Sequence, residues 1–393
     1  MTDWIEAPAD DPDTQVRRVV TAALRAAYAW SVRARQPAAY LEVARMTGVV
    51  METHGPGRGP TTPLELVSSL RSELGGLLPF RGAEADGAIV ESVLLDGSDQ
   101  LTSTALDLAS EYAVPLESGT DPAGWLPSWT HMNAARIRQE TFAALTASQD
   151  QDTYVTSRRF LIEHPAGHRA LLGDIIADRR ICLPWRGYQE LSPDQVHYVS
   201  ETVGWWWPCP ECRWPMAVRQ GTARCRYMPH VARYRIVTGR TRGSQPDLSR
   251  TDEGPRVAKP RAASTEGAVR VDPGVWRFVV VPGANELRIA GLLEKLGCRV
   301  CLWPDGDSYD LHVSVGPGGP EFRLDVKEYR SSHRLCADLR ASRTRATILL
   351  PHSHEYQYDA VRSALPALDV ITESRFKLRV RRILSTRGKA DHA

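Results

Sequence analysis

The sequence predicts a multidomain protein of mixed α and α/β class: a mostly helical N-terminal region, a small cysteine-rich module and a C-terminal α/β core. Three observations predict it. Residues 14–47 are rich in Ala, Leu and Arg, with apolar residues at helical spacing and a break at Pro37. The stretch "GWWWPCPECRWPM" at 204–216 then changes the texture of the chain. From Val275 to about Leu384, helical and strand periods alternate in a compact pattern. The expected boundaries are 1–200 for the helical region, 201–238 for the module, 239–270 for a flexible basic linker and 271–393 for the core.

Each element has its own signal. "GPGRGPTTP" at 55–63 reads as a loop. Residues 64–78 and 128–148 read as helices, and "YVTSRRFLIEHP" at 154–165 begins or ends one, stopped by Pro165. The stretch 239–267, "GRTRGSQPDLSRTDEGPRVAKPRAASTEG", lacks periodicity and is full of Gly, Pro, Ser and charge, as a linker is.

The chain has 393 residues, 42% of them hydrophobic, enough for roughly two or three domains with sizeable cores. Its net charge of +2 conceals an uneven distribution. Residues 205–261 hold 12 Lys/Arg against 4 Asp/Glu, and 371–393 hold 7 against 2. Local basic excess of this kind suits a polyanion, nucleic acid first, although a solvated linker and tail carry the same signature. The start, "MTDWIEAPADDPD", is acidic where a secretory leader is basic. No stretch approaches the roughly 18 consecutive apolar residues of a membrane helix. Seven cysteines, three of them clustered, suit a reducing cytoplasm and a metal site better than a disulfide framework.

The cluster is C-x2-C-x12-C-x4-H: Cys209, Cys212, Cys225 and His230. Two thiolates two residues apart can grip one tetrahedral zinc ion from a tight turn, and a second pair closes the loop. Four protein ligands leave no open position, so this zinc is expected to be structural. His197 is the rival fourth ligand. Trp205, Trp206, Trp207 and Trp214 flank the turn, with Arg213, Arg219, Arg224 and Arg226 following. Such a set can stack bases and hold phosphates, or pack the apolar side of a small zinc module.

The second constellation lies in "EFRLDVKEY", 321–329. At a strand period of two, Phe322, Leu324 and Val326 face one way; Arg323, Asp325 and Lys327 face the other. In "YDLHVSV", 309–315, Asp310 and His312 share the polar face. "GPGGP" between the two predicts an antiparallel hairpin that sets Asp310 beside Asp325. Before it, "NELRIAGLLEKLG" (285–297) predicts a helix with Asn285 as N-cap and Gly297 as its stop. Glu286 falls on its apolar face with Ile289, Ala290 and Leu293. An inward carboxylate needs a compensating partner, and a metal shared with Asp310 and Asp325 is the expected one. Hard carboxylate oxygens suit Mg²⁺ or Mn²⁺, and a lysine two residues from an aspartate can orient water toward a phosphodiester.

This order of helix with Glu, strand, Asp strand, D-x-K strand, helix and strand resembles the restriction-endonuclease-like PD-(D/E)xK nucleases over 275–384. "SSHRLCADLRA" as a helix, "ATILLPH" as a strand and "EYQYDAVRSAL" as a helix continue the likeness. The resemblance implies magnesium or manganese ligation by Asp310 and Asp325, a catalytic role for Lys327 and auxiliary ligation by Glu286. It departs in one place: Tyr309, not proline, precedes Asp310. A helical N-terminal region, a central "CPEC" module and such a core together resemble the nuclease component associated with prokaryotic PIWI-RE conflict modules. That resemblance implies DNA as substrate, a PIWI-type protein and a helicase as partners, and a role in defence against phages or plasmids. Two readings compete: a non-catalytic zinc-containing adaptor that binds nucleic acid, and an interaction subunit working through its N-terminal helices.

His352 and His354 read as loop residues. Cys298 and Cys301 fall in a strand, where alternation points their sulfurs to opposite faces.

Overall fold

The computed structural model describes residues 12–79, 87–112, 131–183, 187–227, 229–237, 245–329, 331–342 and 344–390. The chain divides into two compact units, Met1–Ala135 and Arg136–Ala393.

The first unit is helical. Helices α1 (Pro12–Val32), α2 (Ala39–His54), α3 (Pro63–Leu70) and α4 (Ser103–Tyr112) surround one apolar core. α1 buries Ala22, Ala23, Ala26, Ala27 and Ala29, small side chains that let α2 approach closely. Arg25 is buried in this core and meets Glu42 through Nε at 2.8 Å, so the charge is paired rather than stranded. Thr62 and Glu65 form a reciprocal capping box at the start of α3.

The second unit begins with α5 (His131–Thr146), of which residues from 136 onward belong to it, α6 (Gln151–Glu163) and α7 (Arg169–Arg179). α6 ends just before Pro165, with Asp150 capping its other end. Strands β1 (Ala166–His168) and β2 (Tyr188–Glu190) flank β10 (Ala268–Val271) in an antiparallel sheet. β3 (His197–Tyr198), β4 (Gly204–Trp206) and β9 (Ala263–Ser264) form another. β5 (Ala217–Arg219), β6 (Thr222–Arg224), β7 (Arg233–Val237) and β8 (Asp247–Arg250) make a four-stranded meander.

These strands correct two expectations. The span read as a linker supplies β8, β9 and β10, each paired to an earlier strand; its residues 239–244 lie outside the described residues. Side-chain partners replace periodicity there: Asp252 takes Arg250 and the Arg233 backbone, and Lys259 takes Asp247. Residues 136–200, expected in the N-terminal region, pack instead with the cysteine module and the C-terminal core. Residues 128–130 of the predicted fourth helix lie outside the described residues.

The C-terminal core is a five-stranded mixed sheet in the order β11–β12–β13–β14–β15. Its strands are Cys298–Leu302, Leu311–Val315, Glu321–Val326, Thr347–Leu350 and Val370–Thr372. The first three pair antiparallel and the last two run parallel to β13. Gly316 and Gly318, at φ 71° and 62°, supply the left-handed turn of the predicted β12–β13 hairpin. α8 (Val281–Lys295) and α11 (Glu373–Ala390) cover one face through Ile289, Leu293, Phe376 and Val380. α9 (Ser332–Ala341) and α10 (Tyr358–Ala364) cover the other through Leu335, Leu339 and Val361. β14 divides itself between the two cores: Leu349 on one side, Ile348 and Leu350 on the other.

α8 corrects a further expectation. It follows directly on a π-turn, Trp276–Val280, so Asn285 lies inside a continuous helical run and is not an N-cap. Gly283 lets α8 approach α6: a Cβ there would stand 2.3 Å from Ile162 Cδ1. Cys298 is buried and Cys301 exposed, as alternation requires. Among the described residues, no helix is long and apolar enough to cross a membrane.

Candidate functional site

Two centres stand out. The first is the cysteine cluster. Cys209, Cys212, Cys225 and His230 are all buried, with their candidate ligand atoms within 4.8 Å of one another. His230 Nδ1 is 3.5 Å from Cys209 Sγ and 3.5 Å from Cys225 Sγ, and Cys212 Sγ is 3.8 Å from Cys225 Sγ. A tetrahedral zinc with bonds of about 2.3 Å to sulfur sets sulfurs at nearly that separation, so the donors fit the ion. His230, not His197, belongs to this group.

The local backbone builds this site. Cys209 N–H donates to the Trp214 carbonyl at 2.8 Å and Arg213 N–H to the Cys209 carbonyl at 2.9 Å, with Arg213 at φ 61°. Amides of Glu211 and Tyr227 point at Cys209 Sγ and Cys225 Sγ, and Trp276 Nε1 donates to Cys212 Sγ at 3.3 Å. Burial opposes ionisation of Cys212, yet the hydrogen bonds around its sulfur carry its pKa well below the thiol value. The tryptophans serve packing. Trp206, Trp207 and Trp214 are buried, and Trp214 stacks on Trp276 at 4.4 Å. Arg213 is tied to the Glu163 carbonyl and Arg226 to Asp194.

The second centre lies at the ends of β12 and β13. Leu311 pairs with Leu324, so one step further sets Asp310 opposite Asp325. The Asp310 amide donates to the Leu324 carbonyl at 3.1 Å, and its Oδ2 accepts from the Val326 amide at 2.6 Å. Lys327 Nζ lies 2.8 Å from Asp325 Oδ1. Phe322, Leu324 and Val326 pack on the opposite side, as the alternation predicts. Burial, then Glu286 and Asp325, push the Asp310 carboxyl well above its ordinary pKa. Burial pulls the other way on Lys327, but Asp325 and Asp310 outweigh it and raise its pKa. The ammonium is therefore charged at neutral pH.

Glu286 faces inward as expected, but its partners are protein groups. Arg158 Nη2 donates to Oε1 at 3.2 Å and to Oε2 at 2.9 Å, and Trp303 Nε1 donates to Oε2 as well. Among the described residues, the Cys3His set alone brings three or more metal-ligating side chains within that reach; Glu286, Asp310 and Asp325 do not close to it. A cleft of about 550 Å³ beside His230, lined by Arg250, Arg288 and Lys377 among others, includes none of the three acids.

Sequence reading missed Arg158, Trp303, Tyr227 and Glu328. The Tyr227 hydroxyl donates to Glu328 Oε1 at 2.6 Å, and Asn285 Nδ2 donates to the same oxygen at 3.0 Å. Glu328 is buried, and among the described residues its Oε2 has no hydrogen-bond partner. One signal for Arg158 was available. In α6 it shares a stripe with Tyr154, Leu161 and Ile162, so an arginine stands on an apolar helix face, as a glutamate does in α8.

Two family models match the chain. Residues 15–168 match the one described as pPIWI_RE three-gene island domain Y, and residues 283–388 match REase associating with pPIWI_RE. Both matches tie the chain to the pPIWI_RE module, and the second places a restriction-endonuclease-like domain over the sheet that carries Asp310, Asp325 and Lys327. No curated protein and no solved structure matches the chain.

Proposed function

We propose that this protein is a metal-dependent nuclease hydrolysing DNA phosphodiester bonds within a prokaryotic defence module that includes a PIWI-type protein and a helicase. The observation that carries the reading is the buried pair Asp310 and Asp325 with the half-buried Lys327, whose Nζ is 2.8 Å from Asp325. It sits within the segment similar to REase associating with pPIWI_RE.

The donor set fits a hard divalent cation: two adjacent carboxylates, one with its pKa raised by burial and by its acidic neighbours. Asp310 and Asp325 would hold Mg²⁺ or Mn²⁺; Glu286, expected as an auxiliary ligand, is engaged by Arg158 and Trp303. Such an ion supplies Lewis-acid stabilisation of charge on the phosphate. Lys327, raised in pKa by Asp325 and Asp310 against the pull of burial, acts here as a cation. Its ammonium donates a hydrogen bond that orients the attacking water and offsets charge developing on the phosphate oxygens. The Val326 amide fixes Asp310, so that carboxylate needs little reorganisation. The zinc module is structural in this reading.

The test is cleavage of plasmid and single-stranded DNA by the full-length protein with Mg²⁺ or Mn²⁺, beside an EDTA control and Asp325→Ala. Metal-dependent cutting that disappears in the variant is the expected result. If PIWI-type and helicase partners also fail to elicit cutting while salt-sensitive DNA binding persists, the protein is an adaptor and the nuclease reading is wrong.

A further inference from the structure

Arg158 comes from α6, inside the segment matched by domain Y, and reaches a carboxylate of the REase segment. It is itself buried, with 3% of its side chain exposed. Its Nη2 reaches both oxygens of Glu286, while its Nη1 meets Tyr154 Oη at 2.9 Å and Asp307. Its guanidinium lies over the Trp303 ring at 4.5 Å and over Phe142 at 5.4 Å. The loop it grips is held in an uncommon shape: Trp303, Asp305 and Asp307 all have left-handed φ, at 47°, 54° and 71°. Gln151, from the start of α6, bonds the same loop at the Trp303 carbonyl (2.7 Å) and the Gly306 amide (3.2 Å). That loop runs directly into Asp310.

The charges around this point are nearly complete without a second ion. With all four ionised, as a bound divalent ion requires of its ligands and their neighbours, Glu286, Asp307, Asp310 and Asp325 carry four negative charges against two cations, Arg158 and Lys327. One divalent cation brings the group to neutrality. A second would leave two excess positive charges in a buried site, which is costly. Arginine does not lose its proton, so its claim on Glu286 holds at any working pH.

We propose that Arg158 is a positioning residue that acts as a resident cation of the nuclease centre. It keeps Glu286 out of the ligand set, so that the centre takes a single divalent ion on Asp310 and Asp325. The inference rests on the nuclease reading above.

Mn²⁺ binding to the full-length, zinc-loaded chain tests it, followed by calorimetry and electron paramagnetic resonance, with circular dichroism as the fold control. Wild type is expected to bind one Mn²⁺ at this centre. Asp325→Asn weakens that binding by about tenfold or more, whereas Glu286→Gln leaves number and affinity unchanged. Arg158→Lys keeps the count at one, and Arg158→Gln, by releasing Glu286, raises it to two. Where Arg158→Gln does not fold, the Glu286→Gln arm decides. Two ions in wild type, one of them lost in Glu286→Gln, overturn the proposal and leave the nuclease reading standing, as does loss of a single ion in that variant. A folded Arg158→Gln that still binds one ion also overturns it, since Arg158 is then merely structural. Mn²⁺ binding indifferent to Asp325→Asn overturns both readings.

Discussion

The hydroxyl of Tyr227, two residues beyond the zinc-cluster Cys225, donates to Glu328, the residue after Lys327, at 2.6 Å. The cysteine knuckle and the end of the D-x-K strand are thus joined by one buried hydrogen bond. Tyr227→Phe keeps the ring, which packs beside His230 at 5.0 Å, and deletes only the donor. Glu328 Oε2 has no partner among the described residues, so the variant leaves a buried carboxylate that keeps the Asn285 bond but loses its tyrosine donor. Loss of about 1–3 kcal/mol in urea unfolding is expected, with slower DNA cleavage and unchanged zinc content.

Removing zinc has a wider effect than removing a surface ion. The cluster cysteines share an apolar core with Trp207, Trp214 and Trp276, and with Val279 and Val280 immediately before α8. Chelation, or Cys212→Ser, is expected to lower the unfolding temperature of the whole 136–393 unit rather than of an isolated finger. Calorimetry of the full chain reads this directly: a single downshifted transition for that unit is the expected trace, and an unmoved main transition would sink the idea.

Gly283 is the contact point of α6 and α8, and its missing side chain has an energetic consequence. Gly283→Ala forces its Cβ against Ile162, whose Cγ1 would be 2.6 Å away. Overpacking of this kind costs about 1–3 kcal/mol. Ile162→Ala in the same chain is expected to recover part of that loss, because it removes the clashing methyls. Non-additive unfolding energies across the double-mutant cycle are the signature.

Glu373 gives the acid limb of stability. Burial opposes its ionisation, but hydrogen bonds from Arg288 and the His352 amide, with Lys377 nearby, hold its pKa at about 2. The unfolded value is 4.5, so the folded state binds fewer protons in this window. Its contribution is full above that value and is lost as pH falls from 4.5 toward 2. Glu373→Gln is expected to be less stable at pH 7 and to show a flatter decline below pH 4.5 in urea midpoints. An identical acid slope in the two proteins would refute the assignment.

The β12–β13 hairpin was legible in the sequence because a period of two and a Gly/Pro turn fix register, and register alone brings Asp310 to Asp325. The gathering of Cys209, Cys212, Cys225 and His230 was legible because spacing is itself the chemistry of a knuckle. The partner of Glu286 was not, since Arg158 lies 128 residues earlier and pairing at that distance leaves no local trace. What the sequence does carry is a charge in an apolar stripe on each of two helices, which marks both ends of the bond but not the bond. The span 245–270 misled for a related reason. Its strands are short and borrow their partners from β1, β2, β4 and β7, so their order comes from the neighbours rather than from their own pattern.

The sheet β1–β10–β2 sews residues 166–190 to 268–271, and everything between leaves that seam and returns to it. A graft or recombination that took the five-stranded core alone would carry no part of the seam, and would leave Arg158 behind. The full run from 136 onward is therefore the piece that keeps Arg158, the seam and the five-stranded core together, and a breakpoint within it divides them.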